Sequence, residues 1–533
     1  MDNHRDKLYT YRRDEKMASK VETEELIELA NQAELDGNVE KAIQYYKLAA
    51  DAGNTDGLAS IGLLYQYGTG VEQSYQKAIE WYQRIIDAGD VDGWYLLGTV
   101  YEDMEDYTKS VYCYEKQIEE GGNCKYTAFY GLAKAYRFGL GKEEDFPKAL
   151  DYYQRAAGNG EIAAMVDLGQ LYYDGDGVKQ DYIIANYWFE KAVNSYNGNY
   201  LAFGHLGEAY HHGLGKEVNY DKAKEYYDKA LEAGEENILF WYGEIYYDEE
   251  RYGEALDCFR RAAVEGNQFQ AEAENKIGTM YQFGEGVEEN FGKAVEWYQK
   301  AANNGNAAAM RALGAMYSRG DGVEQDVGQS AYWSLQAAQL GDVIAMNNIG
   351  YCYGNGEGVE QDYVAALAWY MRAADYGDED AMNEIGDIYY FGNGVEKDYS
   401  IAKEWFEKAI AAGNETPLMP LGTIYYYNDD FDKAMELYLK AANDENTYQH
   451  IAEARIGDLY MEGSGVEQDM AKAVEWYEKS AAHGYATAML SLGDIYCDGG
   501  GNVKQDLTKA KEWYEKAKGA GSEDAEQRLA DLS

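Results

Sequence analysis

One phrase returns about every 36 residues along this chain, and it limits the possible folds more than any other feature. The run Ile61-Gly62-Leu63-Leu64-Tyr65-Gln66-Tyr67-Gly68-Thr69-Gly70-Val71 reappears as Ile277-Gly278-Thr279-Met280-Tyr281-Gln282-Phe283-Gly284-Glu285-Gly286-Val287. Its landmark glycine falls at 62, 98, 169, 207, 243, 278, 314, 350, 386, 422, 457 and 493, with Ala133 in the one remaining slot. A degenerate unit from about Glu24 to Gly53 brings the total to about fourteen, and no linker interrupts the series. Repeats of this length bury their apolar surface only against their neighbours, so they stack. Such an array is exempt from the ~250–300-residue ceiling on a single core, and 533 residues need not divide into separate domains.

Each unit reads as two helices. Ala309, Met310, Leu313, Met316 and Tyr317 recur at steps of three and four, as do Ala294, Trp297, Tyr298, Ala301 and Ala302. A small residue at the landmark position lets the two helices approach closely. Between them lies Gly-x-Gly-Val-x-x-Asp. Gly320 suits the left-handed end of the first helix, and Val323 covers the turn. Asp326, Asp181, Asp362, Asp398, Asp469 and Asp506 stand where they would cap the second helix, and Asp145 does the same ahead of Pro147.

The full pattern is Ala-x-x-x-Leu-Gly-x-x-Tyr, Gly-x-Gly-Val-x-x-Asp, then Ala-x-x-Trp-Tyr-x-Lys-Ala-Ala-x-x-Gly, with close copies from Ala164 to Ala192 and from Ala452 to Gly484. It resembles the Sel1-like repeat family, a relative of the tetratricopeptide repeat, over about 90% of the chain. The resemblance implies an all-α, right-handed superhelical solenoid of antiparallel helix pairs. Units at Gly98, Gly243 and Gly422 depart from it, with short acidic turns such as Asp429-Asp430 that look tetratricopeptide-like. The expected organisation is a flexible charged tail over 1–20, a continuous array over 21–521 and a capping helix over 522–533.

Charge and composition exclude several roles. A formal net charge of −49 opposes nucleic-acid backbones and anionic membrane surfaces. No apolar run is long enough to span a bilayer. Cys113, Cys124, Cys258, Cys352 and Cys497 are scattered and odd in number, which suggests free thiols and a cytoplasmic setting. The Gly-x-Gly loops follow helices rather than strands, so they are turns and not phosphate cradles. Asp174-Gly175-Asp176-Gly177 lacks the later glutamate of a calcium loop. His205, Glu208 and His212 share a helical face at metal-ligand spacing, but no further ligand lies nearby, and no cofactor is expected. No nucleophile has a base beside it in a catalytic pattern. Catalysis is not expected.

The aromatics that fill one slot in every unit, such as Tyr65 and Tyr317 or Trp297 and Trp476, are packing residues. Recognition belongs where the units differ. By resemblance to the tetratricopeptide fold, ligand lies on a concave face lined by the first helices. Its positions are three before, two before, one after and four after the landmark. In the middle of the chain they hold His205, Glu208, His211, Phe240, Trp241, Glu244, Tyr247, Asn275, Lys276, Arg311 and Asn347. Toward the end they hold Asn383, Asp387, Asp458 and Asp494. Phe240-Trp241 is the sharpest exception, since large rigid aromatics beside carboxylates are typical anchors. The asparagine of a carboxylate clamp is missing, and the acidic lining favours a ligand with basic residues beside apolar ones. The expected function is a cytoplasmic scaffold or adaptor holding a protein or peptide. A secreted or envelope-associated effector of the same fold and an acidic nucleic-acid mimic stand as alternatives.

Overall fold

The computed structural model describes residues 20–195, 200–443 and 448–532. These residues form 29 α-helices and no β-sheet. Two compact units divide the chain, 1–250 and 251–533, and antiparallel helix pairs fill both. In the first unit, Thr55–Tyr67 pairs with Tyr75–Asp87, and in the second, Ala307–Arg319 pairs with Val327–Gln339. The tail expected over 1–20 lies outside the described residues except for Lys20, which opens the helix Lys20–Leu35. At the other end the short helix Asp524–Asp531 buries Ala525.

The connections follow the chemistry of the motif. Asp181, Asp362, Asp398, Asp469 and Asp506 each accept the amides two and three residues onward, while Asp145 and Asp326 accept one amide apiece. Gly320 takes φ +79° at the end of its helix, as the motif requires. The second glycine has a separate reason. Gly322 has φ +71°, and a Cβ there would sit 2.4 Å from the Phe291 carbonyl carbon, on the opening turn of the preceding second helix.

Units that lack the glycine loop solve the same turn at a cost. Glu105, Glu250 and Asp429 are the three non-glycine residues with positive φ among the described residues, at 58°, 57° and 62°. They mark the three departing units. A side chain in that conformation costs roughly 1–2 kcal/mol. Glu105→Gly is therefore expected to stabilise the first unit by about 0.5–1 kcal/mol, since added backbone entropy offsets part of the relief. Urea unfolding at matched pH measures this. An unchanged or lower midpoint would show that the turn is unstrained.

The landmark glycine admits a ring rather than merely a close helix crossing. A Cβ on Gly62 would lie 2.2 Å from the ring of Tyr82, one on Gly457 2.8 Å from Tyr477, and one on Gly493 2.3 Å from Tyr514. Where the loop is shorter the ring still lands, with Tyr114 on Gly98 and Tyr438 on Gly422. These rings, together with Tyr46, Tyr227, Phe189 and Phe406, are among the largest fully buried side chains. The core of most pairs is thus built around one aromatic from the second helix; at Gly314 the buried Ser334 takes that place.

Candidate functional site

A buried tyrosine hydroxyl generally finds a partner, and in several pairs this carries polarity to the far face of the first helix, whereas the Tyr153 and Tyr227 hydroxyls are buried without one. Tyr82 donates to Gln66 Oε1 at 2.7 Å, Tyr114 to Glu102 at 2.7 Å and Tyr298 to Gln282 at 2.6 Å. Tyr477 and Tyr514 donate to Asp458 and Asp494 at 2.6 and 2.7 Å. All these acceptors stand one or four residues after a landmark glycine. Side chains about one unit apart then join along the same face: Gln66 donates to Asp103 at 2.7 Å, Tyr173 to Glu208 at 3.3 Å and Tyr426 to Glu462 at 2.6 Å. The face read from the sequence as a binding surface is also a hydrogen-bonded ladder, and part of its chemistry is spent on folding.

The predicted site residues fall in both units. In the first, His205 and Glu208 are half-buried and 3.2 Å apart on the helix Tyr200–His212, and His205 stacks on Phe189 at 4.6 Å. His211 is only 4% exposed. Its Nε2 lies 3.8 Å from Asp248, and burial pushes its pKa down to about 4, so the ring is neutral. Phe240, on the helix Ile238–Asp248, is 6% exposed. Phe240 and His211 are therefore framework, not contact side chains, which corrects the expectation for both. Trp241 is half-buried, with its ring edge-on to His212 at 5.3 Å and to Phe240 at 5.0 Å. Glu244 and Tyr247 are also half-buried on this helix.

In the second unit Asn275 and Lys276 are half-buried on the helix Gln270–Phe283. Arg311 pairs with Asp342 at 3.0 Å, and Asn347 donates to Asp378 at 3.3 Å. These two staple successive helix pairs. Among the described residues no three His, Cys, Asp or Glu side chains converge as a metal site. All five cysteines are free, and burial pushes the Cys113 thiol up to about 12, far from a reactive thiolate.

Other residues also mark the first-helix face. Tyr427 is 72% exposed, Phe391 58% and Tyr351 51%. Glu384 and Asp387 are half-buried on the helix Glu379–Phe391, and burial raises their carboxyls to about 7 and about 6. Asp387 is legible in the sequence as a face position. Glu384 stands outside the predicted set, and a column-by-column comparison of the units is the signal that isolates it.

The Sel1 repeat model matches residues 31–54, 55–90, 128–161, 162–197, 271–306, 307–342, 343–378, 379–414, 422–446, 450–485 and 486–522, well over half of the chain. The chain belongs to the Sel1 repeat family. Tetratricopeptide repeat models match 91–120 and 216–268 of this Sel1 repeat protein, and these segments contain two of the three departing units, at Gly98 and Gly243. The third, at Gly422, is matched as a shortened Sel1 repeat. No curated protein matches the chain. Among solved structures the Sel1 repeat protein is similar to a protective antigen of uropathogenic Escherichia coli with an SLR fold, at 26% identity and TM-score 0.46, over 92% of this chain and 93% of that one. It is also similar to a Sel1 repeat protein from Oxalobacter formigenes, at 29% identity and TM-score 0.45, over 56% and 87%. The fold is a Sel1-type solenoid, an architecture commonly used as a protein-interaction scaffold.

Proposed function

We propose that this Sel1 repeat protein is a non-enzymatic scaffold or adaptor that holds a partner protein or peptide on the exposed faces of its first helices. The observation carrying this reading is the tyrosine ladder. It fixes polar side chains of the first-helix face, Glu208 and Gln282 among them, before any ligand arrives, and Arg311 and Asn347 are held by Asp342 and Asp378, so association loses little conformational freedom. Trp241, Glu244 and Tyr247 contribute from the first unit, with His205 and Glu208 beside them. Asn275, Lys276, Arg311 and Asn347 contribute from the second. A partner with basic and apolar residues suits the acidic lining. Five unpaired cysteines suit a reducing compartment, so the cytoplasm is the proposed location.

The test begins with photo-crosslinking from positions 241 and 247 of the full chain in native lysate, with outward positions 112 and 332 as controls. The captured partner is then purified and titrated. Trp241→Ala combined with Tyr247→Ala is expected to weaken it by about tenfold or more, with helix content unchanged. Equal affinity for wild type and double variant, or capture only from positions 112 and 332, would overturn the reading.

A further inference from the structure

Two units near the end of the chain neutralise, from within the protein, the carboxylate that follows their landmark glycine. Asp458 receives the Tyr477 hydroxyl at 2.6 Å and the Arg455 guanidinium at 3.0 Å. Asp494 receives the Tyr514 hydroxyl at 2.7 Å and the Arg528 guanidinium at 3.2 Å. The unit at Gly386 keeps the carboxylate as Asp387 but has lost both donors. Phe406 lies against Gly386 in place of the tyrosine and has no hydroxyl to give. Glu384 occupies the position that Arg455 fills relative to Gly457.

What remains is a carboxylate pair one helical turn apart. The buried Asn383 side chain donates to Asp387, and among the described residues neither Glu384 nor Asp387 has an ion-pair partner. Burial opposes the charge on each, and Asp387 and Asp380 further raise the Glu384 carboxyl. Tyr370, from the preceding second helix, is held protonated by burial and by Glu384. Apolar surface lies alongside. Tyr390 packs on Phe406 at 6.1 Å and on Phe391 at 5.0 Å, and Tyr351, Phe391 and Tyr427 are exposed.

We propose that Glu384 and Asp387, with Phe391 and Tyr427 beside them, form a docking site for an arginine of a partner polypeptide that is flanked by apolar residues. The claim deepens the scaffold reading and rests on it. Both sister units fill the equivalent slot with an internal arginine, which identifies the missing group as a guanidinium supplied from outside. Planar guanidinium is also the cation best matched to paired carboxylates at low hydration cost. A metal ion is disfavoured because two carboxylates and an amide supply too few ligands.

The probe is a fluorescein-labelled peptide amide with one arginine between two leucines in a glycine-serine context. Its control carries citrulline, the neutral isostere, in place of arginine. Anisotropy titrations of the full chain are expected to show at least about tenfold preference for arginine. Glu384→Gln with Asp387→Asn should erase that preference. Glu384→Arg should erase it too, because it restores the sister arrangement and fills the slot from within. Glu478→Gln with Glu512→Gln removes the same charge from exposed positions on second helices and should preserve the preference. Equal binding of the two peptides by wild type, or preference surviving either site variant, would overturn the proposal. So would the absence of arginine-dependent binding up to about 1 mM. If the captured partner depends on Trp241 and Tyr247 while arginine discrimination is absent, the docking site falls and the scaffold stands. The reverse pattern sinks the scaffold reading alone.

Discussion

Tyr82→Ala is expected to destabilise the first unit by about 4 kcal/mol, the cost of emptying a fully buried aromatic site. Tyr82 has no exposed surface, its ring lies on Gly62, and its hydroxyl is the donor to Gln66. Gln66 is itself fully buried, and its amide reaches Asp103 at 2.7 Å. Removing the ring therefore leaves both a cavity and an orphaned carbonyl. Tyr82→Phe keeps the ring and loses only the hydrogen bond, so its cost should be about 1–2 kcal/mol. Repeat arrays are stabilised mainly by neighbour contacts, so the damage should stay local. Hydrogen exchange should accelerate across residues 39–103 and remain unchanged in 251–533. Uniform acceleration along the whole chain, or equal losses for Ala and Phe, would show that the ring is not the keystone of its pair.

Glu384→Gln is expected to stabilise the protein at pH 8 and leave it unchanged at pH 4. Both carboxyls of the pair have folded values above their ordinary ones, about 7 for Glu384 and about 6 for Asp387. The folded state therefore binds more protons than the unfolded state between roughly pH 4 and 7. Stability is full when both groups are protonated, falls as pH rises through that window, and stays lowered above it. Asp380 on the same helix and Tyr370 on the preceding one face Glu384, and neither supplies a compensating positive charge. A tenfold change in proton affinity corresponds to about 1.4 kcal/mol, and partial solvent access reduces the effect. Wild type should thus lose about 2 kcal/mol more than Glu384→Gln between pH 4 and pH 8 in urea titrations. Parallel pH profiles would remove the physical basis for an uncompensated pair. Phe406→Tyr offers an independent check, because a restored hydroxyl should donate to Asp387 and raise stability at pH 8 by about 1 kcal/mol.

Local features of this fold were readable in the sequence because they depend on nearest neighbours. The helix periods, the left-handed Gly320 and the capping role of Asp181 or Asp469 each involve a few consecutive residues. The ladder was not readable in that way. Tyr298 fits an apolar stripe equally well whether or not its hydroxyl crosses to Gln282, and only the packing of two helices brings the two together. Phe240 shows the opposite error. It breaks the repeat pattern and so resembles an anchor, but its position three before the glycine is also buried at Val166, Asn383 and Ala454. That position lies in the seam between helices, and size alone does not bring it to the surface. Glu384 and Phe406 gain meaning only once the Asp458–Tyr477 and Asp494–Tyr514 pairs are known, because what sets their unit apart is a missing donor.

Hydrogen-exchange mass spectrometry of the full chain with and without its captured partner tests the scaffold reading most directly. Binding on the ladder face is expected to slow exchange in first helices, Ile238–Asp248 and Glu379–Phe391 among them, while second helices such as Tyr107–Glu120 and Val327–Gln339 keep their free-state rates. Protection confined to the second helices, with the first helices unchanged, would contradict it.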